Sequence, residues 1–321
     1  MLTERWLTGR WLITGGSGYL GRGILRRARR EGWPAEFTVY SRDEGKQAAM
    51  RRRFPEARYV LGDVRDGQRL AASMAGHDGV VHAGAVKRIP EAEHNVFECI
   101  DVNVGGSREV VVAAARANIQ RVIGLSTDKA CSPLNTYGMT KALMERIFAQ
   151  AATHWPTHYA CVRYGNVVSS SGSVVPLFRQ QAQDYGELRV TDDRMTRFWL
   201  SVDEAISLIC VAAAAGEDQR GTVFVPRCGA MRIVDVARVA APECPIRVTG
   251  MRPGEKLHES LVIDAELPRT EERLGGYVIY PPTVVSLRES ATAPYSSDAP
   301  DHWITLDRMA EMIADAEDLE A

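Results

Sequence analysis

Ser126-Thr127-Asp128-Lys129-Ala130-Cys131-Ser132-Pro133-Leu134-Asn135-Thr136-Tyr137-Gly138-Met139-Thr140-Lys141 is the stretch on which the reading of this chain turns. Before it runs Arg121-Val122-Ile123-Gly124-Leu125, apolar and short enough for a buried parallel strand. After it, Ala142-Leu143-Met144-Glu145-Arg146-Ile147-Phe148 continues with helical spacing. Chemically capable groups thus stand at the carboxyl end of a strand and on the first turn of a helix, where open α/β sheets hold their ligands.

Tyr137 and Lys141 are four apart, so on a helix they share one face, one turn apart. A phenol with a pKa of about 10 becomes a base near neutrality only if that value falls by roughly 3 units, about 4 kcal/mol. A lysine ammonium one turn away and a bound cationic nicotinamide supply the opposite charge. The spacing alone also occurs as surface decoration, so its context decides.

That context begins near the other end of the chain. Residues 10–14 form a strand candidate, followed by Gly15-Gly16-Ser17-Gly18-Tyr19-Leu20-Gly21 and an arginine-rich helix over 22–30. Gly-x-x-Gly-x-x-Gly between strand and helix lets the backbone approach a pyrophosphate, which makes Gly15, Ser17, Gly18, Tyr19 and Leu20 cofactor-binding candidates. A second strand over 37–40 ends in Ser41-Arg42-Asp43, where the adenosine ribose is read. An arginine suits a 2'-phosphate and an acid suits a free hydroxyl; Ser41 and Arg42 favour NADP, and adjacent Asp43 keeps NAD open.

A third strand over 58–61 leads into Gly62-Asp63-Val64-Arg65-Asp66. Asp63 is placed to accept from the adenine amino group with Val64 against the ring, whereas Asp66 fits a helix N-cap. A fourth strand over 79–82 is followed by Ala83-Gly84-Ala85-Val86-Lys87, small residues that leave room for a cofactor. Asn103 is expected to open an apolar helix running to Ala117, with a fifth strand over 120–126 and a sixth over 157–163. This alternation predicts an α/β protein with a Rossmann-type doubly wound parallel sheet.

Beyond Arg163 the pattern changes to loop-rich sequence. We expect a dinucleotide-binding domain over 1–165 and a smaller, mainly substrate-binding C-terminal lobe over 166–321, interleaved with the core through an apolar helix over about 202–215. Residues 281–300 read as polar loop and the tail after Leu306 as a short acidic helix.

A chain of 321 residues with 45% hydrophobic content can bury a large core, and 39 basic against 41 acidic side chains exert no global pull toward nucleic acid or anionic membrane. The arginine clusters at 26–30 and 51–53 read as solvated helix faces. The six cysteines show no Cys-x-x-Cys pair and no histidine at metal spacing, so free thiols in a reducing compartment are expected and no metal site is. Cys131 lies in the opening stretch, but without a nearby histidine it is a poor nucleophile candidate. Met1-Leu2-Thr3-Glu4-Arg5-Trp6 carries no signal-peptide core and no run of 18 apolar residues exists, which predicts a cytoplasmic protein.

Thr14-Gly15-x-x-Gly18-x-x-Gly21 with Tyr137-x-x-x-Lys141 resembles the extended short-chain dehydrogenase/reductase superfamily. Finer matches resemble the UDP-N-acetylglucosamine 4,6-dehydratases, above all the C5-inverting enzymes of pseudaminic acid biosynthesis. They are Tyr40-Ser41-Arg42-Asp43-Glu44, Gly62-Asp63-Val64-Arg65-Asp66, Ser126-Thr127-Asp128-Lys129-Ala130, Val162-Arg163-Tyr164-Gly165-Asn166-Val167-Val168, Arg194-Met195-Thr196-Arg197-Phe198-Trp199 and Arg252-Pro253-Gly254-Glu255-Lys256-Leu257-His258-Glu259. Together they extend over nearly the whole chain.

The resemblance implies a polysaccharide-biosynthetic lyase acting on a UDP-sugar with a tightly bound NADP that is restored each turnover. Tyr137, assisted by Lys141, would take the C4 hydroxyl proton. Lys129, held neutral, would remove the C5 proton, and Asp128, held protonated, would protonate the departing C6 hydroxyl. Thr127 would orient the sugar. Arg197 and Arg252 resemble the diphosphate site and Glu255 the ribose contact, while Lys87, Asn166 and Arg163 are ligand-contact candidates. His258 is expected to pack and hydrogen-bond. Pairing of copies through the helices bearing the Tyr-Lys motif is also implied, giving a homo-oligomer.

The chain departs from these dehydratases at Ser169-Ser170-Ser171, where Gly-Ser-Arg is usual, and at Gly84 and Arg88, so the sugar and nucleotide stay open. Two other readings remain: a nucleotide-sugar epimerase of the same superfamily, and a non-catalytic NADP-binding module.

Overall fold

The computed structural model describes residues 7–170, 172–273, 275–287 and 289–320; Ser171 and the first six residues, on which expectations were placed, lie outside that set. Strands β1 (Gly9–Thr14), β2 (Ala35–Ser41), β3 (Arg58–Leu61), β4 (Gly79–His82), β5 (Arg121–Leu125) and β6 (His158–Val162) pair in parallel, in the order β3-β2-β1-β4-β5-β6. Both β4 and β6 are buried along their whole length, as expected of strands covered by helices on two faces. The order reverses between β1 and β4, whose last residues Thr14 and His82 are register partners. Their chains leave in different directions there, opening the crevice in which such sheets bind ligands.

The sheet does not stop at β6. Strand β7 (Val223–Pro226) lies parallel to β6, β9 (Gly276–Ile279) antiparallel to β7, and β8 (Thr270–Arg273) antiparallel to β9, making nine strands. Residues on both sides of position 165 therefore build one sheet. Helix α1 (Tyr19–Glu31) is tied to helix α3 (Val202–Ala214) by Arg27, whose guanidinium donates to the Asp203 carbonyl at 2.8 Å and to Ser207 Oγ at 2.7 Å. The remaining segments form a second, smaller core in which Phe178, Trp199 and Met231 pack with Met309 and Met312 of the C-terminal helix Leu306–Glu320.

One expected boundary is corrected. The helix thought to begin at Asn103 runs instead from Val96, with a π-helical turn over Asp101–Gly105 before Gly106–Arg116. Asparagine favours a helix start, but here tertiary bonds outweigh that preference. The wider turn points the Asn103 amide inward, where its Oδ1 accepts from Val86 N at 2.8 Å and its Nδ2 donates to the Val86 carbonyl and to Thr140 Oγ1, each at 2.9 Å. Asn103 thereby ties the loop after β4 to helix α2 (Thr136–His154).

Candidate active site

The glycine turn after β1 is packed against the loop after β4. Gly15 has a φ of 63°, and a Cβ there would lie 2.7 Å from the Gly84 Cα, so both the conformation and the close approach require glycine. Helix α1 begins at Tyr19 with Gly18 as an N-cap that offers no side chain, and its first turn contains no acid. Such an end carries unneutralised N–H dipoles and suits an anion. Ser17 is buried in the turn, Leu20 packs against the core, and the Tyr19 hydroxyl donates to the Val168 carbonyl at 3.0 Å. Ala83, Gly84 and Ala85 line the facing loop, with Val64 in van der Waals reach of Gly84 and Lys87 exposed on its far end.

At the end of β2, the Ser41 hydroxyl accepts from Gln47 Nε2 at 3.0 Å, and Asp43 caps the next helix by accepting from Lys46 N at 2.9 Å. The exposed Arg42 guanidinium lies 3.3 Å from both Asp63 and Glu98. Asp63 pairs more closely with Arg65, at 2.7 Å, which holds its carboxyl down at about 2. Asp66 caps the following helix through Arg69 N, as expected. The glycine turn, the bare helix end and the guanidinium at the end of β2 fit a dinucleotide phosphate.

Across the crevice, Asp128–Ala130 form one 3₁₀ turn directly after β5, with Thr127 as its cap. The Asp128 N–H donates to the Tyr164 carbonyl at 3.0 Å, closing this turn onto the chain leaving β6. Asn135 caps α2 by accepting from Gly138 N at 2.8 Å. A Cβ at Gly138 would lie 2.2 Å from the Lys129 carbonyl, so only glycine lets α2 start against this turn. The two caps and that glycine bring Tyr137 beside Lys129.

Asp128 is fully buried, and its Oδ1 accepts from Lys129 Nζ and from the Thr127 hydroxyl, each at 2.9 Å. Burial works against the Lys129 ammonium, but Asp128 and then Glu259 outweigh it and hold the amine above its usual range. Against the neutral lysine expected from sequence, the amine lies within hydrogen-bond distance of Asp128 and 3.6 Å from Glu259, two carboxylates that favour its ammonium. Burial pushes the Tyr137 phenol up to about 12, against a downward pull from Lys129 and from a hydrogen bond with Thr127. The source of that pull is a second correction, because Lys141, expected to act on the phenol, donates instead to Met144 Sδ at 3.1 Å, and burial brings it down to about 8.

The stretch ending in Glu259 lies over this turn. Asn135 Nδ2 donates to the Gly254 carbonyl at 3.0 Å, and Lys256 Nζ donates to the Cys131 carbonyl. Arg252 is exposed, and its N–H donates to Glu255 Oε2 at 3.0 Å. Asn166 sits on the two-residue strand Asn166–Val167, paired with Trp199. His258 bonds Thr196 Oγ1 at 2.8 Å.

Two arginines depart from expectation. Arg197 is buried, with its donors engaged by the carbonyls of Thr196, Lys256 and Leu257, and its Nε lies 3.9 Å from Glu259. As placed, it braces the 256–259 stretch from below, and a diphosphate contact is not its observed role. Arg163 is 2% exposed and its guanidinium is fully engaged by Glu145 (2.6 Å), Glu266 (2.8 Å) and the Leu261 carbonyl (2.9 Å). It is a bolt between β6, α2 and the turn Asp264–Arg269, not a ligand contact.

Sequence reasoning gave Asn103 only a helix start and assigned no role to Glu145 or Glu259. The available signal for Glu259 was its place at the end of the Arg252–Glu259 motif, just before the apolar Leu261-Val262-Ile263. A separate cavity of about 430 Å³, walled by Trp199, Phe224, Tyr277 and Trp303, includes none of the Asp128, Lys129 or Tyr137 group.

The model of a family described as polysaccharide biosynthesis protein matches residues 11–280. The chain is 40% identical over 276 residues to a Campylobacter jejuni protein named UDP-N-acetylglucosamine 4,6-dehydratase (inverting), covering 84% of this chain and 82% of that one. It is 37% identical over 282 residues to the UDP-glucose 4-epimerase of Rickettsia akari, with the same coverage of each. Among solved structures, Pen from Bacillus thuringiensis matches with a TM-score of 0.88 at 28% identity, covering 99% of both chains.

Proposed function

Because the chain belongs to the polysaccharide biosynthesis protein family, we propose that it is a UDP-N-acetylglucosamine 4,6-dehydratase of the C5-inverting kind. Its product would be a UDP-2-acetamido-2,6-dideoxy-hexos-4-ulose. The observation that carries the reading is the 2.9 Å hydrogen bond between Lys129 and Asp128, set beside Tyr137. An epimerase moves a hydride and a hydroxyl proton at C4 only, and has no use for an amine and a carboxyl that can trade a proton.

Bound against the Gly15 turn, a nicotinamide dinucleotide supplies reversible hydride acceptance and, when oxidised, positive charge that favours the Tyr137 phenolate. Tyr137 takes the C4 hydroxyl proton, and the ketone acidifies the neighbouring C5 hydrogen. Passing one proton along the Lys129–Asp128 hydrogen bond turns the resting ion pair into a free amine and an undissociated acid together. A closed, dry site favours that neutral pair, because burial penalises charge. Lys129 then takes the C5 proton while Asp128 protonates the departing C6 oxygen, which restores the ion pair. One shared proton thus prepares both the base and the acid. With the hydride taken from C4 returned to C6, reprotonation of C5 from the opposite face would give the 6-deoxy ketone with C5 inverted.

The test is mass spectrometry and NMR of UDP-N-acetylglucosamine incubated with the protein in deuterated water. Loss of one water with deuterium at C5 is expected; a C4 epimer retaining its C6 oxygen would favour the second reading, which the Rickettsia relatives recommend, and no turnover would favour a cofactor-binding module.

We read the cofactor as NADP, tightly held. Asp43 is occupied as a helix cap, leaving Arg42 as the group for a 2'-phosphate. Replacing Arg42 with alanine is expected to weaken NADP binding about 10- to 100-fold and leave NAD binding unchanged, as measured by titrating both into stripped protein. Exposed Phe97 and Ile100 beside Met139 and Leu143 of α2 support pairing of two copies along this face. Six free cysteines fit the cytoplasm, and among the described residues no helix is long and apolar enough to cross a membrane.

A further inference from the structure

Glu259 opens the buried strand Ser260–Val262, an unusual place for an acid. It is 3% exposed, and its backbone is fixed on both sides: the N–H donates to Ser297 Oγ at 2.9 Å and the carbonyl accepts from Ser297 N at 2.8 Å. Its Oε1 lies 3.6 Å from Lys129 Nζ and 3.9 Å from Arg197 Nε, and its Oε2 lies 3.5 Å from Lys256 Nζ. Oε2 has no hydrogen-bond partner among the described residues, and neither has Asp128 Oδ2.

A carboxylate buried for stability alone closes onto its cation, as Glu145 and Glu266 do onto Arg163 at 2.6 and 2.8 Å. Glu259 does not. Arg197 gives its donors to backbone carbonyls and Lys256 donates to the Cys131 carbonyl, so neither is drawn onto the acid. Lys129 is the one group facing Glu259 whose charge must change during the proposed reaction.

We propose that Glu259 is a positioning residue for Lys129, a second carboxylate that sets the strength of this amine as a base and holds its ammonium once it has taken a proton. The inference rests on the dehydratase reading. When Asp128 carries the shared proton its charge is gone, and Glu259 is then the negative group left beside the amine. It keeps Nζ in place and raises its proton affinity at the moment C5 is attacked. Arg197 opposes this pull on the amine, Lys256 lies 3.5 Å from the far oxygen of Glu259, and Tyr137 is the remaining titratable group facing Lys129.

The sign of the test follows. Deuterium uptake at C5 needs the pair carrying only its one shared proton, so its rate rises with pH as the doubly protonated Asp128–Lys129 pair gives up its extra proton. Glu259→Gln keeps the shape and removes the charge, which makes that pair release the extra proton more readily. The rising limb of deuterium uptake into the product is expected to move to lower pH by about 1 to 3 units, with a plateau about tenfold lower because the base is weaker. Glu259→Asp, which keeps the charge, is expected to return the limb toward the wild-type position. Retained cofactor and a wild-type melting profile establish that each variant is folded. A lower plateau with an unmoved limb overturns the inference, since damage to the fold alone produces that result. Wild-type protein that removes no water from UDP-N-acetylglucosamine overturns the dehydratase reading and the inference with it, whereas wild-type dehydration beside an unmoved limb in Glu259→Gln sinks the inference alone.

Discussion

Lys129→Ala is expected to abolish deuterium uptake at C5 of UDP-N-acetylglucosamine, a loss of at least about 10²- to 10⁴-fold, while the protein keeps its cofactor. The amine is the only basic nitrogen hydrogen-bonded to Asp128 among the described residues, and it takes no part in the Gly15 turn or the Arg42 end of β2. Its removal leaves Asp128 buried without the amine that takes the C5 proton and shares a proton with it. Cofactor content after desalting and the deuterium signal at C5 are measured on the same sample. Unchanged exchange would refute Lys129 as the base; loss of both signals would trace the defect to the cradle.

The second large effect concerns stability. Arg163→Met is expected to destabilise the fold by about 3 to 5 kcal/mol in denaturant unfolding, because it leaves the buried Glu145 without its cation and the buried Glu266 with Arg269 alone. Burial works against the charge of Glu266, and Arg163 more than offsets it in the native protein, holding the carboxyl below its usual range. Without that guanidinium, burial is opposed by Arg269 alone and pushes the carboxyl up, above its unfolded value. Its native state then binds more protons than the unfolded one, so the loss is expected to shrink as pH falls from 8 toward 5. A further Glu266→Gln change, which removes one of these buried charges, should recover part of the loss. An Arg163→Met protein with wild-type unfolding free energy would mean that the bolt is not needed. Glu145 also accepts from Ser126 Oγ, at the start of the Asp128 turn, so a loosened bolt should slow turnover as well.

The contrast between these residues explains what sequence alone could and could not reveal. The Asp128–Lys129 pair, the Asn135 cap and Tyr137 lie within a span short enough for strand, turn and helix geometry to bring them together, and strands β3 and β4 fall where alternation placed them. Arg163 was misread because a polar run after a buried strand usually faces a ligand, whereas its partners lie 18 and 103 positions away. The same distance hid Glu259 and the tether from Asn103 to Thr140. Strand β8, Thr270-Glu271-Glu272-Arg273, is given no element from sequence, because charge tolerated on an outer strand that faces water hides the strand's apolar alternation. Lys141 shows a different limit: helical spacing set its face correctly, but burial and the Met144 sulfur decided its company.

The nine-stranded sheet has a consequence for how the chain is made. When the ribosome has delivered residues 1–165, β6 is complete but its neighbour β7, at Val223–Pro226, has not been synthesised. At about 5 to 20 residues per second the nascent chain waits several seconds with an apolar border bare on one side. Segments of that kind recruit other nascent chains, so polysomes crowded with this message are where aggregation would begin. A gene fragment ending near position 165 would make that waiting state permanent.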